Sequence, residues 1–210
     1  MASYMSFTSS QPLEGLEFEA KAFLFDCDGT LVDTMGAHHR SWECVLQSAG
    51  ASGPLDFDRF HALGGMSGRE VAHVLCDWHG LQVDVEDLVR RKRASFLASA
   101  SGCAPIALTA SFARKVAGTH AVAVVSGGHR AAVETVLQAA GLRELFGVVV
   151  TPEDVSRGKP APDMFLLAAE RLGVAPEDCV VFEDGVPGIE AARAAGMRVV
   201  VIEPLPALNG

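Results

Sequence analysis

Two carboxylates one residue apart, Asp26 and Asp28, close the apolar run Phe23-Leu24-Phe25, and Gly29 and Thr30 follow them. Acids set this closely repel each other, so they persist where a cation or an anion-handling chemistry compensates. Asp and Gly are also common turn residues, and the segment alone reads equally well as a polar exit from a strand. Three further polar clusters follow apolar runs. Ser126-Gly127-Gly128 succeeds Ala121–Val125 and sets a hydroxyl and flexible amides just ahead of a helix, where the amides and dipole favour an anion. Gly158-Lys159-Pro160 offers one point-charge cation, and Phe182-Glu183-Asp184-Gly185 offers a second carboxylate pair. Four such clusters, each at the end of an apolar run, argue for one shared crevice rather than coincidence.

The elements that must position them are legible as short β-branched or aromatic runs: Ala22–Phe25, Ala121–Val125, Val148–Val150, Val180–Phe182 and Val199–Ile202. Continuous apolar runs of this length suit strands buried on both faces of a parallel sheet. Between the last four lie the amphipathic segments Ala131–Ala140, Pro162–Leu172 and Gly188–Ala195. Gly141, Gly173 and Gly196 stand where helix-ending glycines belong, and Pro162 where a helix start tolerates proline. The alternation predicts a doubly wound α/β fold whose ligands bind beyond the carboxyl ends of the strands.

Residues 35–104 break that alternation. His38–Ala49, Phe57–Leu63, Glu70–Trp78 and Val85–Ala100 all read as helices, and Ser67 with Glu70 has capping-box spacing. The expected organisation is a loose N-terminal extension (residues 1–19), an α/β core (20–34 and 105–210) and an inserted helical cap (35–104).

The net charge of −9 disfavours a phosphate-backbone partner, so no nucleic acid is expected. The run Arg90-Arg91-Lys92-Arg93 follows Glu86 and Asp87 at i,i+4 spacing and reads as a solvated helix face. No apolar stretch is long enough to span a membrane, and no signal-peptide pattern opens the chain. Cys27, Cys44, Cys76, Cys103 and Cys179 are scattered, odd in number and without a CxxC pair. Neither a disulfide framework nor a structural zinc site is expected, and a reducing cytoplasm fits. Each cysteine reads as a small buried hydrophobe.

The order Asp26-Cys27-Asp28-Gly29-Thr30, Ser126-Gly127, Lys159-Pro160 and Glu183-Asp184-Gly185 resembles the four motifs of the haloacid dehalogenase superfamily. The stretches around Leu31-Val32-Asp33-Thr34 and Ala191-Ala192-Arg193-Ala194-Ala195-Gly196 look most similar to its β-phosphoglucomutase and sugar-phosphate phosphatase branch. The cap segment Leu63-Gly64-Gly65-Met66-Ser67-Gly68-Arg69 is similar to that of phosphatases of the fructose-1-phosphatase type. The resemblance implies that Asp26 attacks phosphorus and that Asp28 protonates the leaving oxygen, then activates water. It implies Mg²⁺ held by Asp26, the Asp28 carbonyl and Asp184, with Glu183 acting through water. It also implies phosphate binding by Gly29, Thr30, Ser126, Gly127 and Lys159. Dehalogenases that attack carbon resemble this pattern but lack an acid at the position of Asp28.

The resemblance leaves the acceptor open: water makes a phosphatase, a second sugar hydroxyl a mutase. Mutase-like sequences continue the second motif with a Ser-Lys-Asn segment, whereas Gly128-His129-Arg130 stands here, so a phosphatase of a small phosphorylated metabolite is favoured. A non-catalytic phospho-ligand sensor is the third reading, against which the paired acids count. His38 and Arg69 are the cap residues expected near substrate, each with an ordinary packing or solvated alternative. A monomer is expected.

Overall fold

The computed structural model of the chain describes residues 5–7 and 19–203. Six parallel strands form one sheet: β1 (Met5–Phe7), β2 (Ala22–Phe25), β3 (Ala121–Val125), β4 (Val148–Val150), β5 (Cys179–Glu183) and β6 (Arg198–Ile202), in the order β1-β6-β5-β2-β3-β4. β2 lies between β3 and β5, with Phe25 in register with Val124 on one side and Phe182 on the other. From β2 the chain builds one half of the sheet through β3 and β4, then crosses back to β5 on the other side of β2, and this switch point puts the ends of β2, β3 and β5 side by side.

Alternation along the strands divides the core into two layers. Phe23, Phe25, Val124 and Phe182 pack on one face with Phe112 of α5 (Ala107–Val116) and Leu137 of α6 (Arg130–Ala139). Leu24, Val125 and Val181 pack on the other with Phe165 of α7 (Asp163–Leu172) and Ile189 of α8 (Val186–Ala194). Burial on both faces explains the unbroken apolar runs. Helix α5, absent from the sequence reading, carries the chain from the cap back to β3. Its buried face is formed by Thr109, Ala110, Phe112, Ala113 and Val116.

The cap comprises α1 (Met35–Ser48), α2 (Phe57–His61), α3 (Gly68–His79) and α4 (Val85–Leu97). They close around Trp42, Leu46, Phe60, Leu75 and Leu88. The Ser67–Glu70 capping box is formed, and Gly141, Gly173 and Gly196 have positive φ. The two strands of chain joining cap to core run together, with the Asp33 amide donating to the Ala104 carbonyl at 2.9 Å.

Two expectations are corrected. The extension read as loose holds an edge strand, since Met5–Phe7 pairs with Val200–Ile202; a three-residue strand is too short to show periodicity. The rest of residues 1–18 lies outside the described residues. Cysteine burial is also uneven: Cys27, Cys76 and Cys179 are buried, Cys103 is partly buried and Cys44 is exposed. All five are free thiols, and no described helix is long and apolar enough to cross a membrane.

Candidate active site

The four polar clusters converge. Asp26 follows β2, Ser126 follows β3 and Glu183 ends β5, and the ladder continues into the site through the Asp26 amide on the Phe182 carbonyl (2.9 Å) and the Ser126 amide on the Val150 carbonyl (3.0 Å). Lys159 reaches them from the segment after β4. Its ammonium donates to Asp26 Oδ1 at 2.6 Å, to Glu183 Oε1 at 2.6 Å and to the Val125 carbonyl at 2.9 Å. The side chain is fully buried. Burial acts against its charge, but Asp26 and Glu183 outweigh it and hold the ammonium above the usual lysine range.

One lysine thus faces three buried acids: Asp26, Glu183 and Asp184 bring carboxylate oxygens within 4.8 Å of one another. Burial, with the neighbouring carboxylates adding to it, pushes Asp26 well above the ordinary range in spite of Lys159. Burial and the Glu183 charge push Asp184 up to about 8. A cluster of hard oxygen donors short of positive charge fits a divalent cation. Glu183 is held on both oxygens, Oε1 by Lys159 and Oε2 by the Gly185 amide at 2.9 Å.

Asp28 stands apart from that cluster. Its Oδ1 accepts from Thr34 Oγ1 at 2.7 Å and meets His38 Nε2 at 3.1 Å, while Oδ2 accepts from Ser126 Oγ at 3.3 Å. Burial alone would raise this acid, but His38, Thr34 and Lys92 hold it well below the usual carboxylate range. His38 stacks on Phe96 with centroids 3.9 Å apart, and its Nδ1 meets the Lys92 ammonium. Burial and Lys92 lower His38 below the usual imidazole range, and burial brings Lys92 down to about 7. At neutral pH His38 therefore meets Asp28 chiefly as a neutral hydrogen-bond donor.

Other residues expected at the site take more specific roles. Thr30 is buried with its hydroxyl on Asp184 Oδ1 (2.7 Å), so its side chain positions a carboxylate instead of facing a ligand. Gly29 has φ +88°, and a Cβ there would lie 2.3 Å from Asp184 Oδ2, which glycine alone accommodates. Ser126 Oγ also accepts from the Gly128 amide at 3.0 Å, shaping the turn into α6. Arg69 is tied to Glu86 at the cavity rim and is mostly exposed. Thr34 and Lys92 were not singled out from the sequence. Lys92 does share a face with Leu88 and Phe96, four residues to either side and both buried, and that spacing marks it as inward-facing. Of the basic run, Arg90 and Arg91 do pair with Asp87, whereas Glu86 goes to Arg69.

Between cap and core lies a cavity of about 530 Å³. Asp26 and Asp28 line its floor, Gly127 to His129 one wall, and His38, Gly64 to Arg69, Lys92 and Arg93 the cap side. The arrangement sets a buried carboxylate, Asp26, a second carboxylate 2 residues on with its own hydrogen-bond partners, backbone amides and a charge-deficient carboxylate cluster around one cavity.

The sequence pattern of the haloacid dehalogenase-like hydrolases matches residues 20–196. The chain belongs to that family. It is 38% identical over 186 residues to the fructose-1-phosphate phosphatase YqaB of Escherichia coli, covering 87% of this chain and 96% of that one. It is 29% identical over 189 residues to the β-phosphoglucomutase of Bacillus subtilis, covering 86% and 82%. Among solved structures, CbbY from Rhodobacter sphaeroides in complex with phosphate superposes with a TM-score of 0.78 at 26% identity, covering 91% of this chain and 89% of that one.

Proposed function

We propose that this family hydrolase is a Mg²⁺-dependent phosphatase of small sugar phosphates, working through a phosphorylated Asp26. The observation that carries the reading is the placement of Asp26 at the cavity floor, oriented by Lys159, with Asp28 separately held beside it. Asp26 and Asp184 with the Asp28 carbonyl would hold the cation, and Glu183 would act from behind. The ion would supply charge neutralisation for the carboxylates and the phosphoryl oxygens.

Asp26 attacks phosphorus; the bond from phosphorus to the leaving oxygen breaks, and that oxygen takes the proton of the Asp28 carboxyl. The site without ligand keeps Asp28 ionised. A phosphate dianion brought next to it raises its affinity for a proton, which arms the first step. Asp28, ionised again, then takes a proton from water as that water attacks phosphorus, and the bond to Asp26 breaks. Lys159 and Ser126 offset charge on the phosphoryl oxygens.

Water as acceptor is supported by the second motif. Arg130 is turned into the fold, its guanidinium on the Val149 carbonyl and on Asp154, which leaves no grip at that position for a second phosphate. Five free thiols fit a reducing cytoplasm.

The test is phosphate release from fructose 1-phosphate and β-glucose 1-phosphate by the protein and its Asp26→Asn variant, with Mg²⁺ and with chelator. The reading expects release that needs the metal and vanishes in the variant. Formation of glucose 6-phosphate with little free phosphate would instead make the protein a mutase, and binding without any turnover would make it a sensor.

A further inference from the structure

Among the basic residues lining the cavity, Arg69 pairs with Glu86, Lys92 with His38 and His129 with Glu153. Arg93 lines the same cavity and has no hydrogen-bond or ion-pair partner among the described residues. It is partly buried on α4, and α4 packs against α6, whose first residue follows His129. Its charge acts on His129, adding to burial in lowering that imidazole. Cap and core thus meet beyond the reacting centre through one uncommitted guanidinium and one carboxylate, Glu153, paired with His129.

The His129–Glu153 pair is fixed in place. His129 caps α6 by accepting the Ala131 amide at 3.3 Å, and its Nε2 lies 3.1 Å from Glu153 Oε1. The same Glu153 oxygen accepts the Arg130 amide at 3.0 Å. A guanidinium presents five donors in a rigid fork and accepts nothing, whereas a carboxylate only accepts. A second phosphate would suit the first and be repelled by the second. Adjacent hydroxyls suit both, because each hydroxyl can accept from one group and donate to the other.

We propose that Arg93 of the cap and Glu153 of the core, held by His129, select the leaving group by binding neighbouring hydroxyls of a polyol or sugar phosphate. The inference rests on the phosphatase reading and adds its specificity element. Neither side chain touches the reacting atoms, so their loss acts on recognition of the leaving group and not on phosphoryl transfer.

Arg93→Met and Glu153→Gln are assayed with Mg²⁺ on fructose 1-phosphate, on phenyl phosphate, which has no hydroxyl beyond the phosphate, and on fructose 1,6-bisphosphate. Arg93→Met is expected to lower kcat/KM on fructose 1-phosphate roughly tenfold to a hundredfold, mainly through KM, and Glu153→Gln by about threefold to tenfold. Phenyl phosphate turnover should stay within about twofold in both variants. Equal losses on both monophosphates, or no loss on either, would overturn the proposal while leaving the hydrolase reading intact. A loss confined to the bisphosphate would overturn it in favour of a second-phosphate site. If the unaltered protein hydrolysed none of the three, the phosphatase reading would fall and take this inference with it.

Discussion

The carbonyl oxygen of Gly64 in the cap lies 2.6 Å from the point where a side chain would begin on Gly185 of the core. The neighbouring Gly65 carbonyl stands in the same relation to Gly127, at 2.7 Å. The turn before α3 therefore rests directly on the loops that carry Ser126 and Asp184, backbone on backbone, and it forms one edge of the cavity. A cap seated this closely leaves less room for bulk water over the carboxylates, which is what a cap that closes on substrate needs.

Gly185→Ala and Gly127→Ala should hold the cap off. Neither glycine has positive φ, so the backbone accepts alanine without strain and the conflict is with the cap alone. Overpacking of about 1–3 kcal/mol translates to a loss of roughly fivefold to a hundredfold in kcat/KM. The same overpacking should lower the melting temperature by roughly 2–12 °C. Steady-state kinetics and thermal melts check this together, and unchanged kinetics would show that this contact plays no part in turnover.

Lys159 joins two acids that would otherwise oppose each other inside the core, at 2.6 Å from each. Replacing it by methionine leaves Asp26 and Glu183 buried without their cation. The expected loss is about 3–5 kcal/mol, a fall of roughly 6–20 °C in melting temperature. Adding Asp26→Asn to Lys159→Met should restore part of that, because an amide needs no counter-charge. Two additive losses in the thermal melts would argue against this coupling.

Much of this site was legible because each strand that delivers a residue is buried on both faces and reads as a continuous apolar run. Asp26, Ser126 and Glu183 sit where those runs meet polarity, so one signal marks both the strand ends and the candidate site residues. The roles of Thr30 and Lys92 were not legible, for different reasons. Thr30 faces Asp184, a partner 154 positions away that no local pattern reveals. Lys92 lay in a basic run whose net charge hid the inward spacing of Leu88, Lys92 and Phe96. The short edge strand at Met5–Phe7 has one strand neighbour, β6, and too few residues to alternate.

The carboxylate cluster fixes how metal-free stability must vary with pH. Asp184 is raised to about 8 from an ordinary 3.8, and Asp26 is raised too, so between those values the folded chain binds more protons than the unfolded one. Through these acids stability falls as pH rises from about 4 toward 8, while His38, His61 and His129, each held below the usual imidazole range, act in the opposite sense near 6. Bound Mg²⁺ favours the ionised carboxylates and should flatten this slope, with the largest gain in melting temperature at the alkaline end. Melts from pH 5 to 8.5 with chelator and with Mg²⁺ should diverge as pH increases. Parallel curves would mean that the ion does not bind at these acids.

The chain Asp28–His38–Lys92 predicts a second pH effect, on rate. Burial brings Lys92 to about 7, so its ammonium is lost as pH rises through that value. The charged form lines the cavity that receives an anion, and its loss removes that attraction. Activity should therefore decline on the alkaline side with an inflection near 7, provided that metal binding is saturated. Lys92→Met should lose the inflection and about tenfold in kcat/KM, in line with one hydrogen-bonded charge. Lys92→Arg remains charged throughout and should keep more activity than the methionine variant while also lacking the alkaline decline. An inflection near 7 that survives in both variants would belong to another group, and the three-residue chain would then have no part in setting the rate.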